Sequence, residues 1–127
     1  MSEKGLKTDA GQLNELHSSK EGVGHWRMQR VTAIVLIPMT VWFIISIASL
    51  TGANYSETIE WITSPFVAIF MILFSITMLY HAFLGIQVVV EDYIHTEGLK
   101  LAVLIGSRLI FGGLGIATVF SIAKLVL

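Results

Sequence analysis

The sequence contains no cysteine. That excludes disulfides, iron–sulfur ligation and thiol catalysis by this chain, and leaves the redox compartment open. Charge is sparse as well: Asp, Glu, Lys and Arg make up 13% of the 127 residues, and the formal net charge is −1. So small a basic complement does not supply the basic face that nucleic-acid binding needs, and no nucleic-acid partner is expected. The first thirty residues lack an apolar h-region, so no secretory signal peptide is read there. Glu3, Asp9, Glu15 and Glu21 interrupt what an Arg-rich, acid-poor transit peptide would require. There is no internal repeat, no low-complexity stretch, no nucleotide-binding loop, no zinc-ligand spacing and no nucleophile triad. A chain without such groups has nothing with which to oxidise a substrate alone.

What the chain does have is apolar surface. The apolar fraction is 54% and the mean hydropathy is +0.77. Both exceed ordinary globular values, and the length allows one domain, so lipid is the expected solvent. Three apolar runs carry this excess. Residues 31–50 hold no charge; residues 65–90 are interrupted only by Ser75, Thr77, His81 and Gln87; residues 99–127 carry Lys100, Arg108 and Lys124. A hydrocarbon core of about 30 Å needs about 20 helical residues, so each run can span. Spanning segments must satisfy their own backbone, which helices do locally. The expected fold is therefore an all-α membrane protein. A polar arm covers residues 1–23, and a three-helix transmembrane domain covers 24–127, with spans at about 31–50, 65–90 and 99–127. Pro65 opens the second run, where its missing N–H costs little, and Pro38 inside the first is expected to kink it. Pairs of small residues in the third run (Ala102 and Gly106, Gly113 and Ala117) read as generic helix packing in lipid.

Charge placement orients the spans. Lys4, Lys7, Lys20, Arg27 and Arg30 precede the first run, whereas the 51–64 link carries Glu57 and Glu60 and no Lys or Arg. The positive-inside rule puts the N-terminus in the cytoplasm or matrix. Three spans then put the 51–64 link and the C-terminus outside and the 91–98 link inside. Within 24–30, GHWRMQR, Trp26 and the arginines suit the headgroup boundary.

Ionisable groups within the spans are costly, so each needs a reason. His81 lies twelve residues before Tyr93, roughly 16–18 Å along a helix and near the midplane if Tyr93 marks the inner boundary. An imidazole there can ligate a haem iron or hydrogen-bond a neighbouring helix as a packing residue, and both readings stand. Gly85, one turn on, leaves room for a flat macrocycle on the same face. Tyr93 can donate a hydrogen bond to a quinone carbonyl, with Asp92 beside it; the bland alternative is a belt tyrosine and a solvated acidic link. Arg30 and Arg108 could hold haem propionates bidentately. Equally, Arg30 could meet lipid phosphate and Arg108 could pair with Glu91 or Asp92. His25 and Trp26 read first as interfacial, and His17 has no assignable role.

Two motifs carry a family resemblance. HAFLGIQVVVEDY (81–93), together with QRVTAIVL (29–36), resembles the smaller hydrophobic membrane anchor of succinate dehydrogenase, respiratory complex II, an anchor of cytochrome b type. The resemblance covers roughly residues 24–127 and not the arm. It implies that His81 is an axial ligand of haem b, that Tyr93 hydrogen-bonds ubiquinone at the inner face with Asp92 nearby, and that Arg30 lies near the haem propionates. Arg108 matches no motif. The implied partners are a second anchor of cytochrome b556 type, the iron–sulfur subunit and the flavoprotein subunit, the last two docked on the inner face. The implied activity is that of succinate:ubiquinone oxidoreductase, in the tricarboxylic acid cycle and aerobic electron transport, with no activity of this chain alone. The implied location is the bacterial inner membrane, with the mitochondrial inner membrane as the alternative. Since a low-spin haem takes its axial ligands from opposite faces, and this chain has one mid-membrane histidine, a bis-histidine haem needs a histidine from another chain. Two further readings stay open: a haem-free structural anchor of another respiratory complex, and a small transporter or channel. Against the transporter, the chain shows no inverted repeat and no carboxylate within its spans.

Overall fold

The computed structural model describes the backbone of residues 3–127 and the side chains of residues 11–127. Four helices follow in order: α1 (Glu3–Ser49), α2 (Tyr55–Thr63), α3 (Pro65–Tyr93) and α4 (Glu97–Val126). No strand occurs among the described residues. Three of the helices, α1 over Gly11–Ser49, α3 and α4, are long and apolar enough to cross a membrane. The all-α, three-span architecture expected from the apolar runs is therefore the one observed.

Three boundaries differ from expectation. The polar segment 1–23 is helical from Glu3 and joins the first span without a break. A helix of 47 residues is about 70 Å long, more than twice a hydrocarbon core, so its polar half extends beyond the lipid. Glu, Lys, Leu and Gln between the glycines are good helix formers. Adding residues to an existing helix is also far easier than nucleating a new one. Pro38 lies inside α1 without dividing it into two elements. Second, α3 runs on through Glu91, Asp92 and Tyr93, and α4 starts at Glu97, so the 91–98 link shrinks to residues 94–96.

Third, the 51–64 link contains a helix of its own. Asn54 caps α2: its side chain accepts from the Glu57 N–H at 3.0 Å, and the Glu57 carboxylate accepts from the Asn54 N–H at 2.9 Å. This reciprocal capping box satisfies two backbone donors that a short helix would otherwise leave orphaned. Gly52, at φ 86°, makes the turn before it, in the left-handed region that glycine enters without steric cost. Pro65 opens α3 in its first turn, as expected.

Helix α3 is the centre of the structure. α1 packs on one side of it and α4 on the other, and α1 and α4 do not meet among the described residues. On α1 the side chains turned inward include His25, Gln29, Thr32, Leu36, Met39, Phe43 and Ser46. Their alternating steps of four and three keep one stripe on the α3 seam. The end of that seam nearer α2 is aromatic: Phe43 lies 5.0 Å from Phe74, Trp42 lies 4.1 Å from Phe70, and Trp42 stacks on Trp61 of α2 at 6.3 Å. The opposite end is polar. Of the glycines on α4, Gly115 is the one where an added Cβ would meet α3, at Leu79; Gly106, Gly112 and Gly113 have nothing within 4 Å of such a Cβ among the described residues.

Candidate functional site

His81 sits on α3 sixteen residues after Pro65 and twelve before Tyr93. It is half-buried on the seam with α1. Its Nδ1 lies 2.8 Å from Oγ1 of Thr32. Thr32 is only 7% exposed, and its hydroxyl also lies 2.7 Å from the Met28 carbonyl and 3.1 Å from the Gln29 carbonyl. The other ring nitrogen, Nε2, has no hydrogen-bond partner among the described residues and is not among the enclosed, unpartnered polar atoms. One turn on, Gly85 offers no side chain, and the nearest atom an added Cβ would meet is Nε2 of Gln29 at 3.7 Å. The imidazole is thus tied at one nitrogen and open at the other, with an uncrowded helix surface beside it. That arrangement fits a metal ligand whose second nitrogen is held by a hydrogen bond. No three metal-ligating side chains converge among the described residues, so a metal bound at His81 would take one ligand from this chain.

Toward the N-terminal end of α1, two polar atoms are enclosed without a partner among the described residues: Gln29 Oε1 and His25 Nε2. Buried polar atoms are normally paired, so this stripe is one that an outside group can complete. A groove of about 700 Å³ opens next to it between α1, α3 and α4, lined by Glu21, His25, Tyr80, Gln87, Glu91 and Arg108. Within it Gln87 donates to the Glu91 carboxylate at 3.0 Å. A second, almost wholly apolar groove of about 810 Å³ runs between α3 and α4, past Phe83, Phe111 and Phe120.

The other residues singled out from sequence are not gathered around His81. Arg30 is exposed and lies 5.1 Å over the ring of Trp26. Being two residues from Thr32, it points about 160° away from the α3 seam. Arg108 stands where the two grooves meet and leans on Phe83 at 5.8 Å. Among the described residues it forms no ion pair with Glu91 or Asp92. Asp92 and Tyr93 lie together at the C-terminal end of α3 and are exposed, Tyr93 at 79%. Neither lines either of these two grooves. His17 pairs with Glu21 at 3.6 Å on the exposed part of α1. Sequence reasoning passed over Thr32, Gln29 and Gln87. Gln29 and Thr32 were within reach, since both belong to the 29–36 motif and share the stripe that begins at His25.

Comparison with known proteins agrees with these features. Residues 7–115 match the family model of the succinate dehydrogenase/fumarate reductase transmembrane subunit. The chain is 36% identical over 92 residues to the succinate dehydrogenase hydrophobic membrane anchor subunit of Rickettsia bellii, covering 72% of this chain and 74% of the relative. It is 29% identical over 111 residues to that of Paracoccus denitrificans, covering 87% and 84%. It is 28% identical over 86 residues to the succinate dehydrogenase membrane anchor subunit of Reclinomonas americana, covering 65% and 72%. No solved structure gives a significant match. The chain belongs to the succinate dehydrogenase/fumarate reductase transmembrane subunit family, as a hydrophobic membrane anchor.

Proposed function

We propose that this chain is the anchor through which a succinate:ubiquinone oxidoreductase is held in the membrane, and that it supplies one axial ligand to a haem b and one wall of the ubiquinone-reduction site. The observation that carries the reading is the state of His81 in a chain of this family: a mid-span imidazole with one nitrogen tied and the other open. When bound, haem b supplies a one-electron redox centre. His81 Nε2 would be the atom of this chain that holds it, and because no second histidine of this chain shares that depth, any further protein ligand would come from another chain. Arg30 and Arg108 are the guanidiniums available for propionates. Since neither lies beside His81 within the chain, either would act across a surface that the partner completes.

Ubiquinone takes up two electrons and two protons. At the inner end of α3 the Tyr93 hydroxyl donates a hydrogen bond to a quinone carbonyl, which orients it and favours the charge that builds up on that oxygen as it is reduced. Asp92, beside it, is an acid exposed to the inner aqueous phase. The exposure of both residues fits a pocket whose remaining walls belong to the iron–sulfur subunit and the partner anchor. The flavoprotein and iron–sulfur subunits dock on this same face, in a bacterial inner membrane, and the chain alone has no succinate-oxidising activity.

The same Thr32–His81 bond also favours a second reading, a haem-free anchor in which His81 only packs against α1. The two separate cleanly. The purified complex should give a pyridine haemochrome spectrum, and His81→Ala should remove or shift its b-type absorbance. A complex without haem, or a spectrum indifferent to His81→Ala, rejects ligation by His81.

A further inference from the structure

We propose that Thr32 is the positioning residue for His81: its hydroxyl fixes the ring proton on Nδ1 and so presents a bare Nε2 lone pair to the iron. The proposal rests on the haem reading above and adds to it the residue that selects the tautomer.

Proton bookkeeping leads there. A threonine hydroxyl has one proton to donate and can accept from others. Oγ1 of Thr32 lies 2.7 Å from the Met28 carbonyl and 3.1 Å from the Gln29 carbonyl, and both of those oxygens can only accept. The single hydroxyl proton therefore points back along α1, the usual behaviour of threonine inside a helix. Were it turned instead toward His81, the hydroxyl would face a carbonyl lone pair at 2.7 Å with no proton between them. The 2.8 Å contact with Nδ1 then needs its proton from the ring. Hence Nδ1 carries hydrogen, Nε2 does not, and Nε2 is the nitrogen with no partner among the described residues. A neutral imidazole holds one ring proton, and Thr32 decides where it sits.

The position of Thr32 makes this a rigid constraint. Thr32 is only 7% exposed, so its hydroxyl is held by the contacts already named and does not turn to bulk water. Its β-branched side chain also has few rotamers open to it in a helix. The bond crosses from α1 to α3 and so fixes the rotation of the ring about its own axis, which sets the direction of the Nε2 lone pair. A hydrogen bond at Nδ1 also makes the imidazole a stronger donor, and groups of this kind are worth about 10–100-fold in metal affinity.

The test uses the whole purified complex and reads the haem rather than turnover. Thr32→Val keeps the shape and removes the hydroxyl; Thr32→Ser restores it. Thr32→Val should raise the haem midpoint potential, because a weaker donor stabilises ferric iron less. It should also speed haem loss to an apo-globin acceptor about tenfold, whereas Thr32→Ser should match the parent in both. If Thr32→Val does not assemble, Thr32→Ala takes its place. Parent-like potential and haem loss in a hydroxyl-free variant overturn the proposal, as does a Thr32→Ser complex that behaves like Thr32→Val. Failure of both hydroxyl-free variants to assemble, with Thr32→Ser normal, assigns the hydroxyl to folding and overturns it too. His81→Ala tells the two levels apart. If the haem spectrum survives His81→Ala, ligation by His81 has failed; if it is lost there yet Thr32→Val is unshifted, only the positioning role has failed.

Discussion

Thr32 and His81 are 49 positions apart in the chain and 2.8 Å apart in space. Their contact is the polar crossing of a seam that is aromatic at its other end, where Phe43 meets Phe74 at 5.0 Å. Two long helices could slide past one another by a turn and still bury apolar surface. A hydrogen bond between two single residues cannot tolerate that slip. The aromatic end supplies contact area and the polar end supplies register, and both are needed to hold the imidazole at one depth and one angle.

Tyr93 tests the quinone end. Its hydroxyl is exposed at the close of α3 and has no partner among the described residues, so Tyr93→Phe removes nothing the chain needs to fold. A net hydrogen bond to a neutral carbonyl is worth about 1 kcal/mol, roughly a fivefold rate effect when it strengthens as charge builds. Ubiquinone reduction by the membrane-bound complex should fall by about that factor, while succinate oxidation with a soluble dye is unchanged. Equal loss of both activities would point to an assembly defect instead.

Phe74 tests the seam. It is only 6% exposed and stacks on Phe43. In lipid, helices are held by packing rather than by escape from water, so deleting the ring forfeits contacts and leaves a cavity. Phe74→Ala should destabilise by roughly 1–3 kcal/mol, less than the ~3–5 kcal/mol typical of a soluble core. The measurement is thermal inactivation of the detergent-solubilised complex. The haem absorbance should broaden or weaken before global unfolding, since His81 relies on the same seam. An unchanged inactivation temperature would mean that the partner anchor, not α1, positions α3.

Much of this was legible in the sequence, for reasons that vary by element. The three spans could be read because each is a long run with almost no charge, and in lipid such a run has only the helix open to it. The distance from His81 to Tyr93 could be read because helical rise is constant. The course of α1 before residue 24 could not be read from composition: polar residues with interspersed glycines suit a loose arm as well as a helix, and propagation from the span decides. Helix α2 had a local signal, Asn54 three residues before Glu57, that a reading centred on apolar runs passes over. The Thr32–His81 contact has no local signal, because it depends on which turn of α1 meets which turn of α3. The outward direction of Arg30 follows from helical phase only once the seam is known.

The capping box can be tested alone. Asn54 and Glu57 satisfy each other's backbone donors, and α2 has no buried residue, its half-buried Trp61 stacking on Trp42. Asn54→Ala should cost about 1 kcal/mol of local helix stability. Amide exchange over residues 55–58 should accelerate about fivefold, with no effect on haem or quinone chemistry at the other end of the bundle. Unchanged exchange would mean that the Trp42–Trp61 stack, rather than the cap, keeps α2 folded.

Orientation can be tested with unusual cleanness because the chain has no cysteine of its own. Five basic residues before the first span and none in the 51–64 link place that link outside by the positive-inside rule. Thr51 and Thr96 are both exposed and lie in links at opposite ends of the bundle. A membrane-impermeant maleimide added to intact spheroplasts should label Thr51→Cys and leave Thr96→Cys untouched until the membrane is opened. Labelling of Thr96→Cys from outside, with Thr51→Cys silent, would invert the topology. It would also move Tyr93 to the face away from the succinate-oxidising subunits, and the proposed quinone site could not stand there, since electrons released on one side of the membrane would have no short path to it.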